Sequence, residues 1–341
     1  MRMKADGTMD AGVSLLLPRA RVGLLSLVIP VYNEECVLPL LREKLTCFVD
    51  GLDCPVEVVL VDDGSRDGSL TLLRSWAEVD KRVLVLALAR NFGHQTAVTA
   101  GLDIAGGDAV VTLDADLQDP PEVVHAMLEK YLEGFDVVYG QRVSRQGETA
   151  FKRLTAWLFY RLMRQVGSID LLPDTGDFRL MSRRVVDALG AMRESHRFLR
   201  GMVHWTGFAQ TVVRYVRPPR AGGETKYPLL KMLSFAMDGL VSFSTLPLKL
   251  SLYGGLLVLL AAFGYVVWAL LQRFVFHAAV PGWTSLVALV CLLNGATLLS
   301  VGLIGTYLSR VFEEAKRRPL YLVAAKFQAA GTEKRESGNE R

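Results

Sequence analysis

Asp114 and Asp116 stand one residue apart at the end of the apolar run Val110-Val-Thr-Leu113, and Gln118, Asp119 and the prolines Pro120-Pro121 follow. Side chains alternate between faces along an extended segment, so positions 114 and 116 point the same way. Two carboxylates on one face, where a strand runs out into a loop, suit Mg²⁺ or Mn²⁺. These hard cations take one or two carboxylates and leave the rest of the shell to phosphate oxygens and water. The bland counterpart is a solvated acidic turn ahead of a helix that the prolines begin. More acids recur at equivalent places: Glu34 follows Leu25-Ser-Leu-Val-Ile-Pro-Val31, and the pair Asp62-Asp63 ends Val56-Glu-Val-Val-Leu-Val61.

The elements that must position these groups repeat one plan. Short apolar strands are expected at 25–31, from Val56, at 83–89, 109–113 and 135–139, with helices between them at 37–52, 69–79 and 94–105. Such alternation predicts an α/β domain with a mostly parallel sheet covered on both faces. Ligands of these sheets lie beyond the carboxyl ends of the strands, where Glu34, Asp62, Asp63, Asp114 and Asp116 converge. No Gly-x-Gly-x-x-Gly follows the first strand and no Gly-x-x-x-x-Gly-Lys-[Ser/Thr] occurs, which argues against a dinucleotide-binding dehydrogenase and a P-loop ATPase. Acidic strand ends repel a bare pyrophosphate but suit one carried on a cation.

The chain has 341 residues, 51% of them hydrophobic, and a net charge of only +4, too small and too dispersed for a nucleic-acid partner. The apolar excess lies after about Leu246. Residues 250–272 and 283–309 are two nearly charge-free runs, each long enough for the about 20 helical residues that cross a bilayer core. Lys249 precedes them and Arg310, Lys316, Arg317 and Arg318 follow, so the positive-inside rule puts the catalytic domain and both termini in the cytoplasm and the 273–281 connection outside. The expected product is a multi-pass protein of the inner membrane. Residues 149–166 read as a basic amphipathic segment and 229–245 as an interfacial helix that docks the domain on the bilayer. The stretches 1–22 and 311–341 read as a loose amino-terminal tail and a cytoplasmic carboxyl-terminal tail. Four cysteines without metal-ligand spacing fit reduced thiols. Nothing in the pattern fixes a homo-oligomeric state.

Val28-Ile-Pro-Val-Tyr-Asn-Glu-Glu35, Val61-Asp-Asp-Gly-Ser-Arg-Asp-Gly-Ser69, Ala89-Arg-Asn-Phe-Gly-His94 and Asp114-Ala-Asp-Leu-Gln-Asp-Pro-Pro-Glu122, in this order, resemble family 2 glycosyltransferases, and more narrowly the polyprenyl-phosphate glycosyltransferases. The resemblance runs from about Leu24 to Val323. It implies a GT-A fold over residues 23–228, a nucleotide-sugar donor (a UDP-sugar first), a divalent cation, and undecaprenyl phosphate or a related polyprenyl phosphate as acceptor. By the same resemblance Pro30, Tyr32, Glu34, Asp62 and Asp63 would hold the nucleobase and ribose, and Asp114, Asp116 and Gln118 the metal and diphosphate. It places a second catalytic carboxylate at Asp177, and it singles out Arg200 and Lys226 for the acceptor phosphate and the departing diphosphate. Whether Asp177 would act as a base or only orient the acceptor stays open. A processive polysaccharide synthase is a rival, although Gln210-Thr-Val-Val-Arg-Tyr215 lacks the Gln-x-x-Arg-Trp spacing such enzymes carry. So is a non-catalytic membrane scaffold that keeps the nucleotide fold, against which the full set of acids speaks.

Overall fold

Leu25–Val31 (β1) is buried along its whole length, as a strand covered on both faces must be. It pairs in parallel with Val56–Asp62 (β2) on one side and Ala109–Thr112 (β4) on the other, and Val83–Leu88 (β3) lies parallel to β2. The structure, a computed structural model, describes residues 16–143, 175–216, 246–274 and 282–329. Beyond β4 the sheet turns mixed. Thr175–Ser182 (β6) runs antiparallel to β4 and to Val137–Arg142 (β5), and β5 is parallel to Gln210–Tyr215 (β7). At the far edge Val323–Gln328 (β8) runs antiparallel to β3, giving the order β7-β5-β6-β4-β1-β2-β3-β8.

Helices α1 (Leu38–Asp50), α2 (Ser69–Val79), α3 (His94–Ile104) and α4 (Val123–Leu132) return the chain from strand to strand, and α5 (Arg183–Ala191) and α6 (Leu199–Trp205) follow β6. The sequence dictates their faces: α1 buries Leu38, Leu41, Leu45 and Phe48, spaced by three and four, and opens with Pro39 in its first turn, where a missing N–H costs nothing. The expected α/β architecture of GT-A type, with a parallel centre, is therefore present.

The turns after β1 and β2 are laced to each other by short polar side chains. Asn33, at φ 56, accepts from the Arg66 N–H at 2.8 Å and sends its own N–H to Ser65 Oγ at 3.1 Å. The Glu34 N–H donates to Ser69 Oγ at 2.9 Å, while Glu35 and Asp67 each accept from the other turn, at 2.9 and 3.2 Å. Gly64 lets the turn after β2 lie against the one after β3, since at φ +69 a Cβ would lie 2.5 Å from the Arg90 carbonyl carbon.

A second unit holds two long helices, α7 (Leu246–Phe274) and α8 (Trp283–Ala315), tied by Ser251 Oγ to Ser300 Oγ at 2.8 Å. Both extend past the expected bounds of 250–272 and 283–309. Among the described residues one segment, Leu292–Ala315, is long and apolar enough to cross a membrane, and Tyr253–Tyr265 in α7 is a shorter apolar stretch. Of the two spans expected from sequence, one therefore has a segment that meets the requirement among the described residues.

Other expectations shift as well. The stretch 311–341 does not begin as a tail, for α8 runs to Ala315 and the chain then re-enters the sheet as β8. The Ala89 N–H donates to the Leu322 carbonyl at 2.8 Å, and Tyr321 OH donates to Asp103 at 2.8 Å. Within the expected tail 1–22, Arg19 donates to the Tyr131 and Phe135 carbonyls and to buried Asp136. The fifth strand starts two residues later than 135 and runs to Arg142, since Asp136 turns inward to meet Arg19, Arg184 and Ser182. The segments at 149–166 and 229–245, and Lys226, lie outside the described residues.

Candidate active site

The carboxyl ends of β1, β2, β3 and β4 meet as the alternating pattern requires. Pro30 lies within β1, opposite Val61, and Tyr32, just beyond the strand, is 42% exposed. Glu34 sits in the laced turn, its carbonyl accepting the N–H groups of Val37 and Leu38. The Asp62–Asp63 pair divides its labour. Both oxygens of Asp63 are taken by the backbone N–H groups of Phe92 and Gly93, at 2.7 and 3.0 Å, so this side chain shapes the turn that leads into α3. Asp62 is 1% exposed and accepts from the Ser65 N–H through Oδ2, while its Oδ1 has no hydrogen-bond partner among the described residues. Burial pushes both carboxyls up.

Asp114 and Asp116 sit past the end of β4, which stops at Thr112, so they stand on a turn and not on the strand itself. Leu117 closes that turn at φ 58, a conformation that costs a branched side chain about 1–3 kcal/mol and is kept only where the surroundings impose it. It brings the Gln118 N–H onto Asp116 Oδ1 at 3.1 Å. Burial, followed by the neighbouring carboxylates Asp119, Asp177 and Asp116, raises the Asp114 carboxyl to about 6 against the pull of His94. Asp119 itself faces inward, accepting from the Tyr215 hydroxyl. Among the described residues no group of three or more His, Cys, Asp or Glu could hold a metal ion unaided. The pair Asp114 and Asp116 nevertheless fits a cation that arrives with its own phosphate oxygens.

Across from this turn stands Asp177 on β6. Strand alternation puts Asp177 and Arg179 on one face and sends Phe178 and Leu180 into the core. Arg179 Nη2 donates to Asp177 Oδ1 at 2.7 Å, and Arg200, from the first turn of α6, donates through Nε and Nη2 to the two oxygens at 3.1 and 3.2 Å. His94 Nε2 lies 3.4 Å from Asp177 Oδ2 and 3.7 Å from Asp114 Oδ1. Gln95 Nε2 is 3.4 Å from Asp177 Oδ2, and its carbonyl oxygen accepts the Leu199 N–H at 3.1 Å, which ties α3 to the start of α6. Burial alone would push the Asp177 carboxyl up, but the hydrogen bond to His94 and the guanidiniums of Arg200 and Arg179 hold it well below the usual carboxylate range. A carboxylate so stabilised is a weak base and a firm anchor.

The structure thus gathers Asp114, Asp116, Asp177 and Arg200, leaves Asp62 at the end of β2, and gives Asp63 a structural task. Arg197 likewise serves the fold, donating to the Leu189 and Met192 carbonyls. His94, Gln95 and Arg179 were not singled out from sequence. A signal existed for the first two, since Gly93-His94-Gln95 follows the third strand as the acids follow the others. Arg179 gave less, being one charge within Phe178-Arg-Leu-Met181.

Strand-end carboxylates facing an arginine-clamped aspartate on a GT-A-type sheet define a transferase of the nucleotide-sugar class. The description Glycosyl transferase family 2 matches residues 26–190. The uncharacterized glycosyltransferase YkcC of Bacillus subtilis (strain 168) is 48% identical over 298 residues, which cover 87% of this chain and 92% of that protein. The prophage bactoprenol glucosyl transferase homolog of Escherichia coli (strain K12) is 38% identical over 299 residues, covering 88% and 98%. Among solved structures, glucosyl-3-phosphoglycerate synthase from Mycobacterium tuberculosis, in complex with Mn²⁺, UDP-glucose and phosphoglyceric acid, is 18% identical with a TM-score of 0.43, over 65% of this chain and 78% of that one. The chain belongs to glycosyl transferase family 2 and is a glycosyltransferase, grouping there with the bactoprenol glucosyl transferases.

Proposed function

We propose that the enzyme moves a sugar from a nucleoside-diphosphate sugar, UDP-linked in the first instance, to a polyprenyl phosphate such as undecaprenyl phosphate, with inversion, at the cytoplasmic face of the inner membrane. The observation that carries the reading is the two-sided site. Asp62, Asp114 and Asp116 line one side, and the Arg200–Asp177 pair stands on the other with His94 between. Relatives named bactoprenol glucosyl transferase support the acceptor class.

A phosphate acceptor is already an anion near neutral pH, so proton abstraction is not required. The work falls to positioning and to charge stabilisation. Asp114, Asp116 and Gln118 would hold the Mg²⁺ or Mn²⁺ that neutralises the donor's diphosphate as it departs. Asp177, held well below its ordinary range, orients Arg200 rather than acting as a base, and Arg200, joined by Lys226, takes the acceptor phosphate. Tyr32, Pro30, Glu34 and Asp62 flank the space for base and ribose.

Membrane anchoring draws support from connectivity. A chain that leaves the sheet after β7 and re-enters it as β8 can cross a bilayer only an even number of times. A crossing by Leu292–Ala315 therefore needs a second one, and Leu246–Phe274 is the other long helix among the described residues. The test is incubation of the purified protein with a panel of labelled nucleotide sugars and a short polyprenyl phosphate. A lipid-soluble, acid-labile sugar phosphate is expected from one donor, and absence of product from every donor would refute the assignment.

A further inference from the structure

His94 stands between the two carboxylates that the reaction has to serve. Its Nε2 is 3.4 Å from Asp177 Oδ2 and 3.7 Å from Asp114 Oδ1. One ring nitrogen carries one proton, so Nε2–H can bond one of these oxygens at a time. Both separations exceed the roughly 2.7–3.2 Å of a short N–H···O bond, so the imidazole's hold on Asp177 is a long one for which Asp114 competes.

Asp177 Oδ2 is also crowded. Arg200 Nη2 at 3.2 Å, Gln95 Nε2 at 3.4 Å and His94 all approach this single oxygen. A carboxylate oxygen offers about two lone-pair sites, so a full bond from His94 must loosen another donor. Arg200 is the one able to turn, because its side chain is 37% exposed and loss of the Oδ2 bond frees its Nη2 while Nε stays on Oδ1 at 3.1 Å. Asp177 does not lose its counter-charge in the exchange. Arg179, with a side chain 3% exposed, keeps its 2.7 Å bond to Oδ1.

We propose that His94 is a positioning residue that couples the two sides of the site: donor occupancy at Asp114 sends the imidazole to Asp177, which frees Arg200 Nη2 for the acceptor phosphate. The inference rests on the functional reading above, since it needs a donor at Asp114 and an anion at Arg200. It makes the two ligands cooperative, and coupling between binding free energies is reciprocal.

The test is calorimetry on the full-length protein in detergent, with UDP and Mn²⁺ as the donor-side probe and a short-chain prenyl phosphate as the acceptor-side probe. In the wild type the prenyl phosphate is expected to bind about fivefold or more tightly with UDP–Mn²⁺ present, and the reverse titration to return the same factor. His94→Ala should bring that factor to about one while moving each separate affinity less than it moves the factor; a purely structural role would shift the affinities and spare their ratio. The side chain is 43% exposed at the start of α3, so the substitution leaves the core intact. His94→Gln, whose amide can still donate, should recover part of the coupling. An unchanged factor in His94→Ala, or no coupling in a wild type that binds both probes, overturns the relay alone. A wild type that binds neither probe overturns the functional reading beneath it.

Discussion

Asp116 makes the sharpest case at the scale of single residues, because its role is separable from the fold. It is partly exposed on the turn after β4, and its Oδ1 accepts the Gln118 N–H at 3.1 Å. Asp116→Ala should abolish sugar transfer while leaving the thermal melt within a few degrees of wild type. EDTA should mimic it, and Mg²⁺ or Mn²⁺ should restore the wild type but not the variant. Full turnover in EDTA would remove the cation from the account. Asp177 behaves differently, since it anchors a buried arginine. Asp177→Asn leaves Arg179 charged in the core with a weaker partner, so a stability loss on the order of 3 kcal/mol is expected in denaturant titration. Turnover should fall far more than donor affinity. A donor affinity that collapsed in step with turnover would move Asp177 to the donor side.

Among the elements, β8 changes how the domain must be handled. It covers the edge of β3, and Phe327 packs against the core with the Arg74 guanidinium 5.4 Å from its ring. A bare, flat, apolar edge such as Val83–Leu88 would be a template for pairing with other chains. A chain ended at Arg318 should therefore melt at a lower temperature and self-associate in light scattering; an unchanged melt with a monodisperse profile would show that β8 is dispensable. For the same reason, cutting the chain before Leu246 is a poor way to isolate the catalytic domain. Replacing residues 246–318 with a flexible linker keeps the strand, and this form should bind nucleotide yet transfer to bilayer-embedded acceptor at least about a hundredfold less well, having lost its local concentration there.

For the whole molecule, the sheet limits how the proposed bilayer crossing can be made. Because β7 and β8 belong to one sheet, the flanks of α7 and α8 share a compartment. On the proposed reading, the charges around Lys249 and Arg310 would put that compartment on the cytoplasmic side. A cysteine placed at Ala278, with Cys291 replaced, should react with an impermeant thiol reagent added outside intact spheroplasts. Cys36 and Cys47, both exposed on the domain surface, should react only after the membrane is broken. Labelling of Cys36 from outside would reverse the orientation, and silence at position 278 in intact cells with labelling after lysis would mean that the hairpin does not cross.

The sequence by itself determined the parallel centre of the sheet and the acids at its carboxyl ends. An apolar run closed by Asp or Glu is a local pattern, and adjacency along the chain dictates where its side chains go. Tertiary structure alone decided the rest. Gln95 meets Asp177 across 82 residues and Leu199 across 104, and Arg200 reaches Asp177 across 23. No periodicity encodes a contact of that kind. The same holds for β6, whose alternating Asp177-Phe-Arg-Leu180 does not reveal its antiparallel partners β4 and β5, and for β8, which lies beyond two long helices from the strand it pairs with. It holds too for Asp63, which as an acidic strand end looks like its neighbour Asp62 until the backbone of Phe92 and Gly93 folds over it and claims both oxygens. What a side chain can do chemically is written in its type; what it is left free to do depends on which distant donors the fold brings within hydrogen-bonding distance.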